Sequence, residues 1–127
     1  LVALCAGQLS ASGSALQATA HCDRALVPGR VLCEVSAKAS SGRLVWSDVL
    51  VVRAPAFARP LRSRVLASLG SSPETATAKL ALVVAQVGPG QVELLVRGVI
   101  CKENNRAEAC QAVTEPLSAV WEVGPKR

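Results

Sequence analysis

The stretch VLCEVSAK, residues 31–38, alternates without a break, with Val31, Cys33, Val35 and Ala37 on one side and Leu32, Glu34, Ser36 and Lys38 on the other. A period of two places successive side chains on opposite faces of an extended chain, so the stretch reads as a half-buried β-strand with its apolar set turned inward. The same period occurs just upstream. In ALQATAHC, residues 15–22, the apolar set is Leu16, Ala18, Ala20 and Cys22, against Ala15, Gln17, Thr19 and His21. Between the two strands lies DRALVPGR, with the turn signal Pro28-Gly29. Cys22 and Cys33 therefore point at the core from neighbouring strands, and a suitable register would bring them within disulfide reach.

Beyond this pair, SSGR at 40–43 is a turn and RLVWSDVLVVR at 43–53 gives the longest strand signal. Leu44 and Trp46 share one parity and Val49 and Val51 the other, which predicts a bulge or bend at Ser47-Asp48 and makes Trp46 the first candidate for the core. Pro55 ends the pattern because it lacks the amide that a central ladder needs. Residues 53–64, RAPAFARPLRSR, read as an extended connection. VLASLG at 65–70 is either a short strand or a helical turn, and in SSPE Ser72 and Pro73 fit the cap and first position of a helical turn. TAKLALVVAQV at 77–87 and QVELLVRGVIC at 91–101 read as a hairpin about Gly88-Pro89-Gly90. CKENNRAEAC, 101–110, is a polar excursion enclosed by two cysteines, which invites a loop-closing disulfide. LSAVWEV, 117–123, turns Leu117, Ala119, Trp121 and Val123 one way, and the opening LVALCAG reads as a first strand.

Seven or eight strands with turns about every ten residues and no strong helix predict an all-β fold, an antiparallel two-sheet sandwich. It is immunoglobulin-like or fibronectin-like by class only, and a small β-barrel is the alternative. The 127 residues have the length of one β domain, and are equally compatible with a piece of a larger extracellular or surface protein. Half of the residues are apolar, but Phe57 is the only phenylalanine, Trp46 and Trp121 are the only tryptophans, and Tyr and Met are absent. A core so poor in large rings buries less area per residue and gains from cross-links. Five cysteines favour an oxidising compartment, extracellular or secretory. They contain no C-x-x-C and only His21 adds an imidazole, so metal binding is disfavoured. Pairing Cys22 with Cys33 and Cys101 with Cys110 leaves Cys5 as a free or intermolecular thiol.

Catalytic chemistry finds little support. His21 adjoins Cys22, but adjacent strand residues face opposite ways, which is poor placement for a nucleophile and its base. The carboxylates, Asp23 and Asp48 among them, are spread through turns and outward strand positions and read as solubilising. No glycine-rich phosphate cradle is present, so no cofactor is expected.

The remaining signal is basic. Arg53, Arg59, Arg62 and Arg64 surround Phe57 in a segment without an acid, and the formal charge is +5. The segment reads either as an exposed loop that its arginines merely solubilise or, with planar guanidinium donors about an apolar anchor, as the contact for a protein partner, another subunit or a second copy included. An anionic glycan is a lesser fit, and nucleic acid is disfavoured because stacking rings are scarce. No stretch is long and apolar enough to span a bilayer as a helix. The expected function is a non-catalytic binding or structural module of an extracellular, cell-surface or virion-surface assembly. A secreted enzyme with an unrecognised site and an intracellular basic subunit are the alternatives. Intact mass before and after reduction, with free thiols alkylated, separates these readings. Two internal bonds and one labelled cysteine are expected, and five labelled thiols in material from the native compartment would overturn the oxidised framework.

Overall fold

Strands that alternate apolar with polar residues each carry one face that must be covered, and two sheets stacked on those faces cover both. The computed structural model describes residues 15–104 and 107–125. Its strands in chain order are β1 (Leu16–Cys22), β2 (Gly29–Ala39), β3 (Arg43–Arg53), β4 (Ala58–Pro60), β5 (Arg64–Leu66), β6 (Ser68–Leu69), β7 (Thr75–Val84), β8 (Gly88–Asn104) and β9 (Ala107–Val123). They form two antiparallel sheets. One has the order β9-β8-β3-β5; the other has β1-β2-β7-β4, with β6 also paired to β7. The architecture is all-β, an open two-sheet sandwich in which the described strands do not close into a barrel.

The inner faces meet in one cluster. Val31, Val35, Leu80, Leu82 and Val84 come from the five-stranded sheet, and Val49, Val92, Leu94, Val96 and Val123 from the four-stranded one, none more than 2% exposed. Each such side chain contributes about 1.5–3 kcal/mol by leaving water. Along β2 the inward set is Val31, Cys33, Val35, Ala37 and Ala39, as its alternation requires.

The chain departs from the sequence expectations in several places. Thr75–Val84 and Gly88–Asn104 are not a hairpin: β7 pairs with β2, β4 and β6, whereas β8 pairs with β9 and β3. Residues 85–87 carry the chain from one sheet to the other, and Gly88 takes a positive φ of 117° at the turn into β8. The two apolar faces, Leu80-Leu82-Val84 and Val92-Leu94-Val96, enter the core from opposite sheets instead of lying side by side in one sheet.

The bulge in β3 falls elsewhere than expected. The register with β8 shifts between Leu44 and Trp46, and again between Val51 and Arg53, so the irregularities sit at Val45 and Val52. The shift at Val45 turns Leu44 and Trp46 to opposite faces. Leu44 enters the core at 3% exposure, while Trp46 lies half-buried on the outer face, contrary to its expected core position.

Finally, the arginine-rich connection contains β4 and the start of β5, and residues 72–75 form a hydrogen-bonded turn, with Thr75 N–H donating to Ser72 O at 3.2 Å, that opens no helix. The polar segment between Cys101 and Cys110 continues the β8–β9 ladder, with Glu103 opposite Glu108 and Lys102 opposite Ala109. The opening LVALCAG lies outside the described residues.

Trp121 is the largest side chain in the core, and a glycine makes room for it. Its partner in the ladder is Gly90, where an added Cβ would lie 2.2 Å from Trp121 Cζ2. Gly90→Ala is therefore expected to lower stability by about 1–3 kcal/mol through overpacking. Gly29→Ala meets no atom but is strained at its own φ of 145°, so the two variants separate crowding from backbone strain. Urea unfolding checks it, with near-UV circular dichroism of Trp121 changed by Gly90→Ala alone.

Candidate functional site

Two places on the sandwich combine chemistry with exposure: the outer face of the four-stranded sheet and the seam between its edge strand β9 and β1. On the outer face the alternation that sends Ser47 and Val49 inward sends Trp46 and Asp48 outward. Asp48 is nevertheless 0% exposed, because two guanidinium groups cover it. Arg97 lies directly opposite on β8 and donates from Nε at 2.8 Å to Oδ1 and from Nη2 at 2.6 Å to Oδ2; Arg64 of β5 donates from Nε at 2.6 Å to Oδ2. The Arg97 guanidinium also stands over the Trp46 ring, 5.6 Å from its centroid, a cation–π arrangement. Ser47 Oγ donates to the Arg97 carbonyl at 2.8 Å and fixes the backbone behind the clamp.

The hydrogen bonds from Arg97, joined by those from Arg64 and by both positive charges, hold the Asp48 carboxyl below its ordinary pKa against the opposing effect of burial. The same contact holds Arg97 protonated more firmly than usual. The sequence alone assigns Asp48 to the solubilising carboxylates; it is instead a buried acid that ties β5 to β3 and β3 to β8. The signal was present in WSDVL and LLVRGV, each of which carries one charge of opposite sign inside an apolar strand.

The expected partner-binding segment is divided by the fold. Arg64 belongs to the Asp48 clamp, Arg53 pairs with Glu93 at 3.3 Å, and Phe57 is half-buried against the core, its carbonyl accepting from Ala85 N–H at 2.8 Å. Arg59 and Arg62 are exposed. Arg43 of β3 pairs with Glu108 of β9. His21 and Asp23 are 4.0 Å apart and largely in water, with side chains 82% and 72% exposed. Cys22 is bonded to Cys33 and Cys101 to Cys110. Each pair sits directly opposite in its ladder, so register alone brings the sulfurs together. The Cys101 and Cys110 sulfurs lie near the Glu108 carboxylate, but they are joined to each other and offer no thiolate. Cys5 lies outside the described residues.

The seam is defined by where the backbone points. In an antiparallel ladder residues alternate between exchanging hydrogen bonds with the neighbour and directing their N–H and C=O the other way. Asp23 N–H donates to Leu32 O at 2.8 Å and Ser40 N–H to Ala15 O at 2.9 Å, so odd-numbered positions of β1 bond to β2. Ala18 and Ala20 then direct their main-chain groups away from it. On β9, Glu122 O accepts from Ala25 N–H at 3.3 Å and Gly124 N–H donates to Ala25 O at 2.8 Å, so even-numbered positions point away from β8.

It follows that Ala112, Thr114, Ser118 and Val120 present both N–H and C=O outward, and Pro116 only C=O. Among the described strands β9 has no second ladder neighbour. One end of the seam is zipped: Ala25 bridges Val123, and Arg24 donates to the carbonyls of Gly124 and Pro125 at 3.0 and 3.1 Å. Along the rest, the half-buried side chains of Ala18, Ala20, Val113 and Leu117 pack on the core, and no ladder among the described strands joins β1 to β9. A cavity of about 740 Å³ opens at the zipped end among Ala20, Cys22, Gln91 and Trp121, and one of about 500 Å³ at the other among Ala15, Ile100, Lys102 and Gln111.

No protein-family model matches the chain, and no curated protein is similar to it. Among solved structures, it is similar to AggA, the major subunit of aggregative adherence fimbriae type I from Escherichia coli, at 12% sequence identity and a TM-score of 0.40, over 85% of this chain and 95% of that one. The fold described above rests on its own sheet pairings.

The Asp48 clamp fixes a pH dependence. A carboxyl whose pKa is lowered on folding contributes stability that is complete above the unfolded value of about 3.9 and is lost as pH falls through the lower folded value. Asp48→Asn is expected to reduce stability near neutrality by about 1–3 kcal/mol, the scale of hydrogen bonds to a charged group. The gap from the wild type should stay constant down to about pH 5 and shrink below about pH 4. Urea unfolding at a series of pH values checks it; a gap that persisted at the acid end would mean that the carboxylate's charge is not the source.

Proposed function

We propose that this domain is a non-catalytic protein-binding module of an extracellular or surface assembly, and that it meets its partner subunit by pairing an extended strand with the edge of β9. The observation that carries the reading is the outward row of main-chain groups on Ala112, Thr114, Ser118 and Val120, in a strand of 17 residues with one ladder neighbour among those described. Such an edge is a template for another strand. Pairing would supply backbone hydrogen bonds, and the half-buried Ala18, Ala20, Val113 and Leu117 would supply apolar contact once the seam parts. Parting it breaks no β1–β9 ladder. Pro116 withholds one donor in mid-edge, so an incoming strand gains most in registers that place no carbonyl against it, which limits indiscriminate pairing.

Two further features support a setting outside the reducing cytosol. Both ladder-spanning cystines stiffen the sandwich: Cys22–Cys33 closes a sequence separation of 11 and Cys101–Cys110 one of 9. By the chain-entropy model each stabilises by about 2–3 kcal/mol. A core of Ala, Val and Leu, poor in large rings, gains from such cross-links.

Ser118→Pro removes an outward N–H while leaving the β8–β9 ladder bonds in place. It is expected to weaken assembly by about tenfold or more, a loss of one or more hydrogen bonds with a buried acceptor left unpaired. Its melting temperature should change little. The matching measurement is backbone hydrogen exchange: the amides of Ala112, Thr114, Ser118 and Val120 should exchange freely in the isolated domain and become protected in the assembly. Unchanged exchange of these four amides on assembly would defeat the edge-pairing reading, whatever the affinity of the variant.

A further inference from the structure

The outer face of the five-stranded sheet has two unlike halves. Toward one end its outward residues are those of an ordinary solvated sheet: Thr19 on β1, Ser36 on β2 and Thr77 on β7, with Glu34 beside Lys79 in the ladder. Toward the other end they are apolar and basic. Arg30 of β2, Val83 of β7 and Arg59 of β4 form one row across three strands, since Arg30 and Arg59 are both paired in register with Val83 from either side. In the next row Leu32 pairs with Ala81, and Leu61, just past β4, donates its N–H to Ala81 O at 3.0 Å. Leu32 is 46% exposed, Val83 43% and Leu61 53%, while their sequence neighbours Val31, Cys33, Leu82 and Val84 are buried. Neighbouring strands lie about 4.8 Å apart, so the Arg30 and Arg59 backbones flank Val83 with about 10 Å between them.

Ion pairing is distributed unequally between the two sheets. On the four-stranded sheet Arg43, Arg53, Arg64 and Arg97 are matched by Glu108, Glu93 and Asp48. On the five-stranded sheet Arg30 and Arg59 are exposed, and neither has a carboxylate among the described residues within ion-pair distance. An apolar centre with charge at its margin is how a protein docking surface is organised, and the charge here has one sign.

We infer that the Arg30–Val83–Arg59 row, with Leu32 and Leu61, is a docking surface for an acidic polypeptide segment that sets carboxylates on either side of an aliphatic side chain. Guanidinium groups hold carboxylates with paired hydrogen bonds, and the exposed Leu and Val offer the aliphatic contact that a hydroxyl-covered glycan does not use. A second copy of this chain, docked by the same face, would bring four unpaired guanidiniums together on molecules of formal charge +5, so the partner is a different, acidic chain. The surface is separate from the β9 edge and does not depend on it.

The test is selection of phage-displayed random linear peptides on the full disulfide-bonded chain, with counter-selection on Arg30→Glu/Arg59→Glu. Both arginines are exposed, so the double variant is expected to melt as the wild type does. Recovered peptides should carry two acidic residues around an aliphatic one and bind the double variant roughly tenfold or more weakly, with affinity falling as salt rises. A second variant, Leu32→Ser/Val83→Ser, should weaken the same peptides without changing the salt slope. Peptides without acidic residues, equal binding to the double variant, or no selectable peptide would overturn the inference. Heparin is the parallel probe: arginine-dependent heparin binding with no acidic peptide recovered would assign the surface to a glycan and overturn the polypeptide reading. Ser118→Pro should leave peptide binding intact, which keeps failure here distinct from failure of edge pairing.

Discussion

Everything in this sandwich follows from the burial of one apolar face per strand by small side chains. Ala, Val and Leu at every second position give each sheet a shallow inner surface, and only a second sheet stacked closely on it excludes water. That requirement sends consecutive strands β7 and β8 into opposite layers although only three residues, 85–87, connect them. It also makes Trp121 exceptional: the one large ring of the core lies against Gly90, where no side chain competes for the space.

With the core so uniform, specificity of arrangement falls to features on its margins. Two cystines bridge directly opposed residues in two different ladders, and the Asp48 carboxylate joins three strands through Arg97 and Arg64. The clamp lies on the outer face, so it adds nothing to the core, but it gives β5, a strand of three residues, a reason to stay on β3. Desolvating a carboxylate is unfavourable, and here three charge-assisted hydrogen bonds offset it. The acids that neutralise the four-stranded sheet leave the other sheet's Arg30 and Arg59 without a carboxylate partner among the described residues. The same division of charge accounts for the fate of the arginine segment: half of it is structural, and half faces water.

Much of the fold was legible before any coordinate. The inward and outward sets of β1 and β2, the inward set from Leu117 to Val123 and the strand character of the whole chain follow from period two alone. The edges were not legible, because a strand's backbone directions depend on which neighbour it finds. Thr114 and Ser118 look like ordinary surface residues in sequence, and only the bonds of Ala25 to Glu122 and Gly124 show that their main-chain groups point outward. Asp48 escaped for a related reason. A charge in a strand is exposed by default, and its burial required Arg97 from a strand 49 residues away.

By itself, then, the sequence determined the class of structure, two apolar-faced antiparallel sheets, and put Cys22 and Cys33 on the core side of neighbouring strands, since side-chain alternation is a local property of an extended chain. Tertiary structure decided which strands share a sheet, where the bulge at Val45 turns Trp46 outward, which arginines are neutralised and which strands end a sheet among those described. Those depend on pairings between residues far apart in the chain, and a period of two is the same whichever partner a strand finally takes.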